Sequence, residues 1–476
     1  MDNRKVSNCN ISSIEKIRQR CSRLAVIGAG YVGLPTSALF ANAGFHVDVL
    51  DVKPRIIDAL NCGNCHINEP GLNELISNNI KAGRLNGHLI SNFDFNKIDI
   101  IMIAVQTPIN ENKKPCIQYL LNAVDIIGAK IKLGMLVVLN STIPPKTTIN
   151  EVKLRLELLS GLKVDTEFYL AYVPERIAPG KALKEFVEGT RIVGGVGQFS
   201  TRVAANLFKT VCKKVIETDS TTAEVAKLAE NTFRDVNIAF ANQLALICER
   251  VNVDVTTMIE LANTHPRVNI HKPGPGVGGP CLPKDPYLLV SSLTFPCDII
   301  KAAREVNDYM PKHIIHLIQQ ALRRNEKNIL NSRITVLGVA YKNDTDDARL
   351  SPAEPIIRNL LCLGAEVNVY DSWCNESFGA QPKISLEEAL KGTDCLVTVT
   401  NHTEFLNLNL KKIKLLMNFK PVIIDGRRII NPSEARKLGF YYCGLGSGPL
   451  EDNLSPECVL TPFSKENQTK TAKDSK

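Results

Sequence analysis

The run Gly28-Ala-Gly-Tyr-Val-Gly33, set between an apolar segment and a helix-forming one, constrains this chain more than any other feature. Before it stands Arg23-Leu-Ala-Val-Ile27, a short strand pattern, and after it comes Leu34-Pro-Thr-Ser-Ala-Leu-Phe-Ala41, a helical one. Gly-x-Gly-x-x-Gly in that setting predicts a strand–turn–helix unit that receives a dinucleotide. Gly28 permits the tight turn, Gly30 lets the backbone approach a pyrophosphate, and Gly33 lets helix lie on strand. The unpaired N–H groups at the helix start then face the phosphates. A second strand, His46-Val-Asp-Val-Leu-Asp51, ends in an acid 18 residues past Gly33, where a ribose hydroxyl is held. A carboxylate there repels a 2′-phosphate, so the expected cofactor is NAD rather than NADP.

Strand and helix patterns keep alternating beyond this unit, which predicts an α/β fold with a parallel sheet. Asp99-Ile-Ile-Met-Ile-Ala-Val105 and Leu136-Val-Val-Leu-Asn-Ser141 are continuous apolar runs, as in sheets covered on both faces. They lead into the polar turns Gln106-Thr-Pro108 and Ser141-Thr-Ile-Pro-Pro145, expected to line the cofactor cleft. Further strands are expected over 168–175 and 190–195. A long helix follows over 221–250, with apolar residues at Val225, Leu228, Ala229, Phe233, Val236, Ala239 and Phe240. On it Lys227, Asn231 and Arg234 share one face, as a substrate grip or as a solvated stripe. From Arg333 the order strand–turn–helix–strand–Asp371 recurs without the glycine fingerprint, so a second dinucleotide site is not expected. The predicted layout is two Rossmann-like domains joined by a long central helix in a helical dimerisation domain. Its boundaries are an N-terminal extension 1–22, a nucleotide-binding domain 23–215, a central domain 216–325, a second Rossmann-like domain 326–463 and a disordered tail 464–476.

The stretch Pro273-Gly-Pro-Gly-Val-Gly-Gly-Pro-Cys-Leu-Pro-Lys-Asp285 brings chemistry to this frame. Glycines that close together mean positive φ or a backbone passing very near something else, and the prolines stiffen the run without making it helical. A rigid loop holding one thiol, Cys281, beside an amine and an acid suits a nucleophile better than it suits packing. The plainer alternative is a turn-rich loop with an incidental cysteine. The chain has 14 cysteines and no apolar signal region near its start, so reduced thiols and a cytoplasmic setting are expected. Cys62-Gly-Asn-Cys-His66 matches a haem or redox spacing, but no second pair with zinc spacing accompanies it. The match reads as chance, and no metal is expected. The net charge of +8 is spread without a basic block, which favours an anionic small ligand over nucleic acid. No stretch approaches 18 uninterrupted apolar residues, so no membrane span is expected.

In order, Gly28–Leu34, Gln106-Thr-Pro, Ser141-Thr-Ile-Pro-Pro, Val173-Pro-Glu-Arg, Ala223-Glu-Val-Ala-Lys-Leu, Pro273–Pro286 and Ala340-Tyr-Lys with Arg349 resemble the UDP-sugar 6-dehydrogenases. The match spans about residues 23–450. The resemblance implies two successive oxidations of a nucleotide sugar's C6 alcohol with two NAD, giving a uronic acid. It implies that Cys281 captures the aldehyde and that Lys227 and Asn231 hold the reacting oxygen. By the same resemblance Asp285 and Thr142 position and deprotonate the hydrolytic water, and Glu175 lies near the sugar. Cofactor contacts carry over to Gly28, Gly30, Tyr31, Val32, Gly33, Asp51, Thr107, Thr142 and Arg349. Substrate contacts carry over to Arg176, Ile177, Lys227, Asn231, Arg234, His265, Arg267, Gly278, Tyr341, Lys342 and Arg427. The implied assembly is a homodimer through the central helix, with Arg267 reaching the neighbouring subunit's site. The implied role of the second Rossmann-like domain is UDP-sugar binding.

Pro174-Glu-Arg-Ile-Ala-Pro-Gly180 and His265-Pro-Arg-Val-Asn-Ile270 look more like the branch of that family acting on UDP-N-acetylhexosamines, the manno epimer first. Pro179 stands where the UDP-glucose branch usually has a second glutamate. The rival substrates are UDP-N-acetylglucosamine and UDP-glucose. The rival functions are a single-step hydroxyacid dehydrogenase and a non-catalytic nucleotide-sugar sensor.

Overall fold

Two sheets wound in the same sense carry the site between them. The structure is a computed structural model and describes residues 13–447 apart from 292 and 294. The expected tail 464–476 lies outside the described residues. The first sheet holds β1 (Arg23–Ile27), β2 (His46–Asp51), β3 (Leu85–Leu89), β4 (Ile100–Ile103), β5 (Leu136–Leu139), β6 (Tyr169–Tyr172), β7 (Thr190–Gly195) and β8 (Lys214–Asp219). Their spatial order is β3-β2-β1-β4-β5-β6-β7-β8, parallel throughout except between β6 and β7. Leu24 and Val26 join one buried cluster while Ala25 and Ile27 join another, so helices cover both faces. The order reverses between β1 and β4, and the turns after these two strands flank that switch point, where open α/β sheets bind ligands.

The second sheet holds β9 (Arg333–Leu337), β10 (Glu366–Tyr370), β11 (Gln381–Pro382), β12 (Cys395–Thr398), β13 (Val422–Asp425) and β14 (Tyr441–Gly444). Its order, β11-β10-β9-β12-β13-β14, repeats that of the first six strands. The acid that follows β10 is put to a different use here. The Asp371 carboxylate accepts the backbone N–H groups of Val339, Ala340, Trp373 and Cys374, at 2.7 to 3.1 Å. The ring of the fully buried His402 adds a fifth contact at 3.0 Å. Those five neighbours fill the position that an acid in the first half holds beside its cleft.

Between the sheets runs the helix Ser220–Val251, capped by the Asp219 side chain on the Thr222 N–H and closed by Asn252 in the left-handed region (φ 56°). Its buried side is largely polar and includes Glu224, Lys227, Asn231, Asp235 and Asn242. Part of the apolar periodicity that marks this helix in the sequence faces outward instead. Phe233 is 64% exposed and Phe240 53%, and Val225, Ile247 and Val251 are exposed with them. The helix Asp298–Arg324 packs along the polar side, where Arg304 Nη1 donates to Asp235 Oδ1 at 2.6 Å. Asn307 also donates to that carboxylate, at 2.9 Å, and Asn242 passes the chain on to the Gly274 N–H at the start of the cysteine loop. Cys62 and Cys65 are free thiols, and among the described residues no His, Cys, Asp and Glu side chains cluster to hold a metal. No helix among the described residues is long and apolar enough to cross a membrane.

Candidate active site

The glycines of the first turn have three separate jobs. Gly28 takes φ +105°, and a Cβ there would meet the Ala104 carbonyl oxygen at 2.6 Å. At Gly33 a Cβ would stand 1.7 Å from the Gly28 carbonyl oxygen, so only glycine allows this helix to sit on this turn. A Cβ on Gly30 would meet nothing within 4 Å. That open space borders a helix start with no side-chain cap and no acid in its first turn. An uncapped helix N-terminus over an open glycine is the cradle a pyrophosphate fills, so the residues fit a dinucleotide. Asp51 accepts the Ala29 N–H at 2.9 Å and the Lys53 N–H at 3.0 Å. Thr107 is buried and donates its hydroxyl to the Thr142 carbonyl at 2.5 Å, tying together the two turns expected to line the cleft. Glu224 fixes the segment just after the second turn, its carboxylate accepting the N–H groups of Lys146 and Thr148.

Cys281 stands at the meeting of all three parts of the chain. The glycines before it are where they are because the second Rossmann-like domain presses on the loop. A Cβ at Gly278 would meet the Leu350 carbonyl oxygen at 2.7 Å, and one at Gly279 (φ +93°) would meet the Tyr341 ring at 2.6 Å. Both grounds for the glycine run, close approach and positive φ, are therefore present. The Cys281 residue reaches solvent, but surrounding protein crowds its thiol. Burial and the Asp285 carboxylate push that thiol above its ordinary value, while Lys227, Lys284 and Arg349 pull the other way. Asp285 is fully buried, and burial raises its pKa against the pull of Lys284 and Lys227. Its Oδ2 accepts from Asn231 Nδ2 at 2.6 Å. Its Oδ1 has no hydrogen-bond partner, although the Lys284 ammonium stands 3.9 Å away. Lys284, the amine beside the thiol, has no role among those the resemblance implies. It donates to the Thr107 carbonyl at 2.9 Å and so links the thiol loop to the cofactor turn. A buried carboxylate oxygen left unpaired beside a thiol and two amines keeps its capacity to accept a hydrogen bond from a water or a reacting group.

The expected substrate residues divide. Tyr341 packs beneath Gly279, and burial raises its hydroxyl to about 12. Lys342 donates to the Pro179 carbonyl of the first domain at 3.3 Å. The Arg427 guanidinium lies beside Gly274 and donates to the Val399 carbonyl at 2.7 Å. No described carboxylate pairs with it, and desolvation pulls it down to about 10, which suits it to an anion such as a diphosphate. Arg349 is held by Asp347 in a bidentate pair, with its guanidinium carbon 5.1 Å from the centre of the Tyr31 ring in the glycine turn. Arg176, by contrast, spends its guanidinium on Glu230 of the central helix (2.7 Å) and the Thr190 carbonyl. Arg234, His265 and Arg267 are exposed in the single chain. Glu175 accepts the N–H groups of Arg176 and Ile177 and an ion pair from the buried Arg191 (3.0 Å), leaving Oε2 buried and unpartnered.

The chain matches the UDP-glucose/GDP-mannose dehydrogenase family in three consecutive parts. These are the NAD-binding domain over residues 22–212, the central domain over 221–309 and the UDP-binding domain over 335–432. It belongs to that family. It is therefore an NAD-dependent nucleotide-sugar dehydrogenase, as the motifs implied. The UDP-N-acetyl-D-mannosamine dehydrogenase of Pyrococcus horikoshii is 40% identical over 90% of this chain and 100% of its own length. Its solved structure superposes with a TM-score of 0.84, covering 90% of this chain and 99% of that one. The UDP-N-acetyl-mannosamine dehydrogenase of Staphylococcus aureus is 36% identical with a TM-score of 0.80, over 89% and 98% of the two chains. The NDP-N-acetyl-D-galactosaminuronic acid dehydrogenase of Methanosarcina mazei is 37% identical with a TM-score of 0.79, over 92% and 98%.

Cofactor choice gives a test of this site. Asp51→Ala is expected to weaken NAD and to narrow its kcat/KM advantage over NADP by about tenfold, since a carboxylate beside a 2′-phosphate is a like-charge contact. Steady-state kinetics with both cofactors check it, and an unchanged ratio would remove Asp51 from the ribose.

Proposed function

We propose that the enzyme oxidises the C6 alcohol of a UDP-N-acetylhexosamine twice, UDP-N-acetyl-D-mannosamine in the first instance, to the uronic acid. The observation that carries this reading is the pairing of Cys281 with a buried Asp285 that Asn231 holds at 2.6 Å. Lys227 is buried on the same helix one turn before Asn231. One oxidation of an alcohol needs no thiol. A second does, because an aldehyde must become tetrahedral before another hydride can leave it. Cys281 adds to the C6 aldehyde to give a thiohemiacetal, and Lys227 and Asn231 stabilise the oxygen that gains charge. After the second oxidation a thioester joins C6 to Cys281, and Asp285 takes a proton from the water that hydrolyses it. NAD, when bound, supplies the hydride acceptor for both oxidations. Arg427 and Lys342 are the cations offered to the diphosphate. The relatives named above, two acting on UDP-N-acetylmannosamine, support the substrate. The outward apolar stripe of the central helix supports a homodimer, since a soluble chain rarely leaves such a face open.

The test is to supply purified enzyme with UDP-ManNAc, UDP-GlcNAc and UDP-glucose and count NADH against sugar consumed. The expected result is about two NADH per sugar, no free aldehyde, and kcat/KM for an N-acetylated hexosamine at least about tenfold above UDP-glucose. One NADH per sugar, or aldehyde trapped in solution, removes the thiohemiacetal. Equal use of UDP-glucose removes the branch assignment, and a preference for UDP-GlcNAc removes only the epimer.

A further inference from the structure

The segment 174–182 leaves β6 and carries Arg176, Ile177 and Pro179, yet residues 173–178 have no regular secondary structure. Its backbone is nonetheless fixed, by three carboxylates. Glu175 Oε1 accepts the N–H groups of Arg176 (2.7 Å) and Ile177 (3.0 Å), and Glu185 Oε2 accepts that of Ala178 (2.8 Å). Glu69 accepts the last two, Gly180 on Oε2 and Ala182 on Oε1, each at 2.7 Å. The Lys181 N–H goes to the Ala178 carbonyl, and Pro179 has none to place. Every N–H from 176 to 182 is therefore taken.

Two of these acids are local, one inside the segment and one on the short helix that follows it. Glu69 comes from 111 residues upstream, in the turn Ile67-Asn-Glu-Pro-Gly71 between β2 and β3. It is 7% exposed, and among the described residues no Lys, Arg or His forms an ion pair with it. A carboxylate is costly to bury without a cation, so two charge-assisted hydrogen bonds to one loop mark a specific task. The loop so held presents the Pro179 carbonyl that receives Lys342 from the second domain.

We infer that Glu69 is a positioning residue: it sets the shape of loop 176–180 and through it the selectivity among UDP-hexoses, without touching substrate. This rests on the reading above that the loop walls the sugar. A glutamine at the position keeps one acceptor oxygen and turns an NH₂ group against the Gly180 or the Ala182 N–H, so the loop must shift.

Glu69→Gln tests it, assayed as the full-length enzyme with NAD and each UDP-sugar. Expected are a fall of about tenfold in kcat/KM for the preferred sugar, mainly through KM, and a NAD KM within about twofold of wild type. The preference over the next-best UDP-hexose should narrow by about fivefold or more. An equal loss on every sugar, or no loss, would make Glu69 a fold-stabilising acid only and overturn the inference. Wild-type enzyme inactive on all UDP-N-acetylhexosamines would instead break the functional reading on which it rests. Should Glu69→Gln fail to fold, Glu185→Ala removes the carboxylate that accepts the Ala178 N–H of the same loop. It should narrow the same preference, and an unchanged preference there overturns the inference equally.

Discussion

Replacing Cys281 with alanine will lower four-electron turnover to the uronic acid by on the order of 10⁴-fold while leaving UDP-sugar binding within about twofold. The thiol makes its bond only after the first oxidation, so the ground-state complex loses one sulfur and little else. The loop itself should survive, because its shape comes from Gly278 and Gly279 against Tyr341 and from the Gly279 N–H on the Arg349 carbonyl (3.0 Å). Alanine at 281 retains the carbonyl that accepts the Lys284 and Asp285 N–H groups. Calorimetric titration with the UDP-sugar and a single-turnover NADH measurement check both halves. Substantial residual four-electron turnover would show that another route makes C6 tetrahedral.

Asp285→Asn is expected to cost about 10²–10⁴-fold in turnover by a different route. The side chain keeps its size and one of its oxygens, so the Asn231 contact can persist, but nothing remains to take a proton from water. Enzyme should then accumulate as the thioester, visible as added mass on the intact protein. The pH profile offers a second check. Burial raises the folded Asp285 above the ordinary carboxylate value, so wild-type activity should fall, as pH drops, through a value above that range. The acid limb should disappear in the asparagine variant. A block in turnover with no adduct would move the role of Asp285 ahead of thioester formation.

Much of this was legible because local spacing dictates local geometry. Gly28 and Gly33 meet the constraints their spacing foretold, Gly30 faces open space, and the repeated strand–helix–strand–acid pattern did correspond to a second sheet of the same winding. The strand-end acids of β2 and β10 are equally visible in the sequence, yet only the fold separates their uses. Lys227 and Asn231 lie together on the buried side of the central helix because one helical turn separates them. What the sequence hid are groups whose partners lie far along the chain. Glu69, Arg191 and Glu224 hold backbone or side-chain groups 16 to 113 residues away, and no periodicity marks such acids and bases. Arg176 shows the opposite hazard. Its motif assigns it to the substrate, but a glutamate 54 residues on and a nearby carbonyl occupy its guanidinium. The central helix misleads in another way, since its buried side is largely polar and part of its apolar spacing points outward.

The saturation of Asp371 has a consequence for anyone redesigning this scaffold. The two halves look interchangeable on a topology diagram, and the second tempts an engineer to graft the glycine turn there and obtain a two-cofactor protein. Five existing contacts to that carboxylate argue that the graft alone would fail, because the acid has no vacancy to offer a ribose. His402 would have to be shortened first, and the loop whose Asp344 N–H it accepts would need a new anchor. Spare capacity for hydrogen bonds, rather than strand order, decides which half of such a repeat can be taught a new ligand.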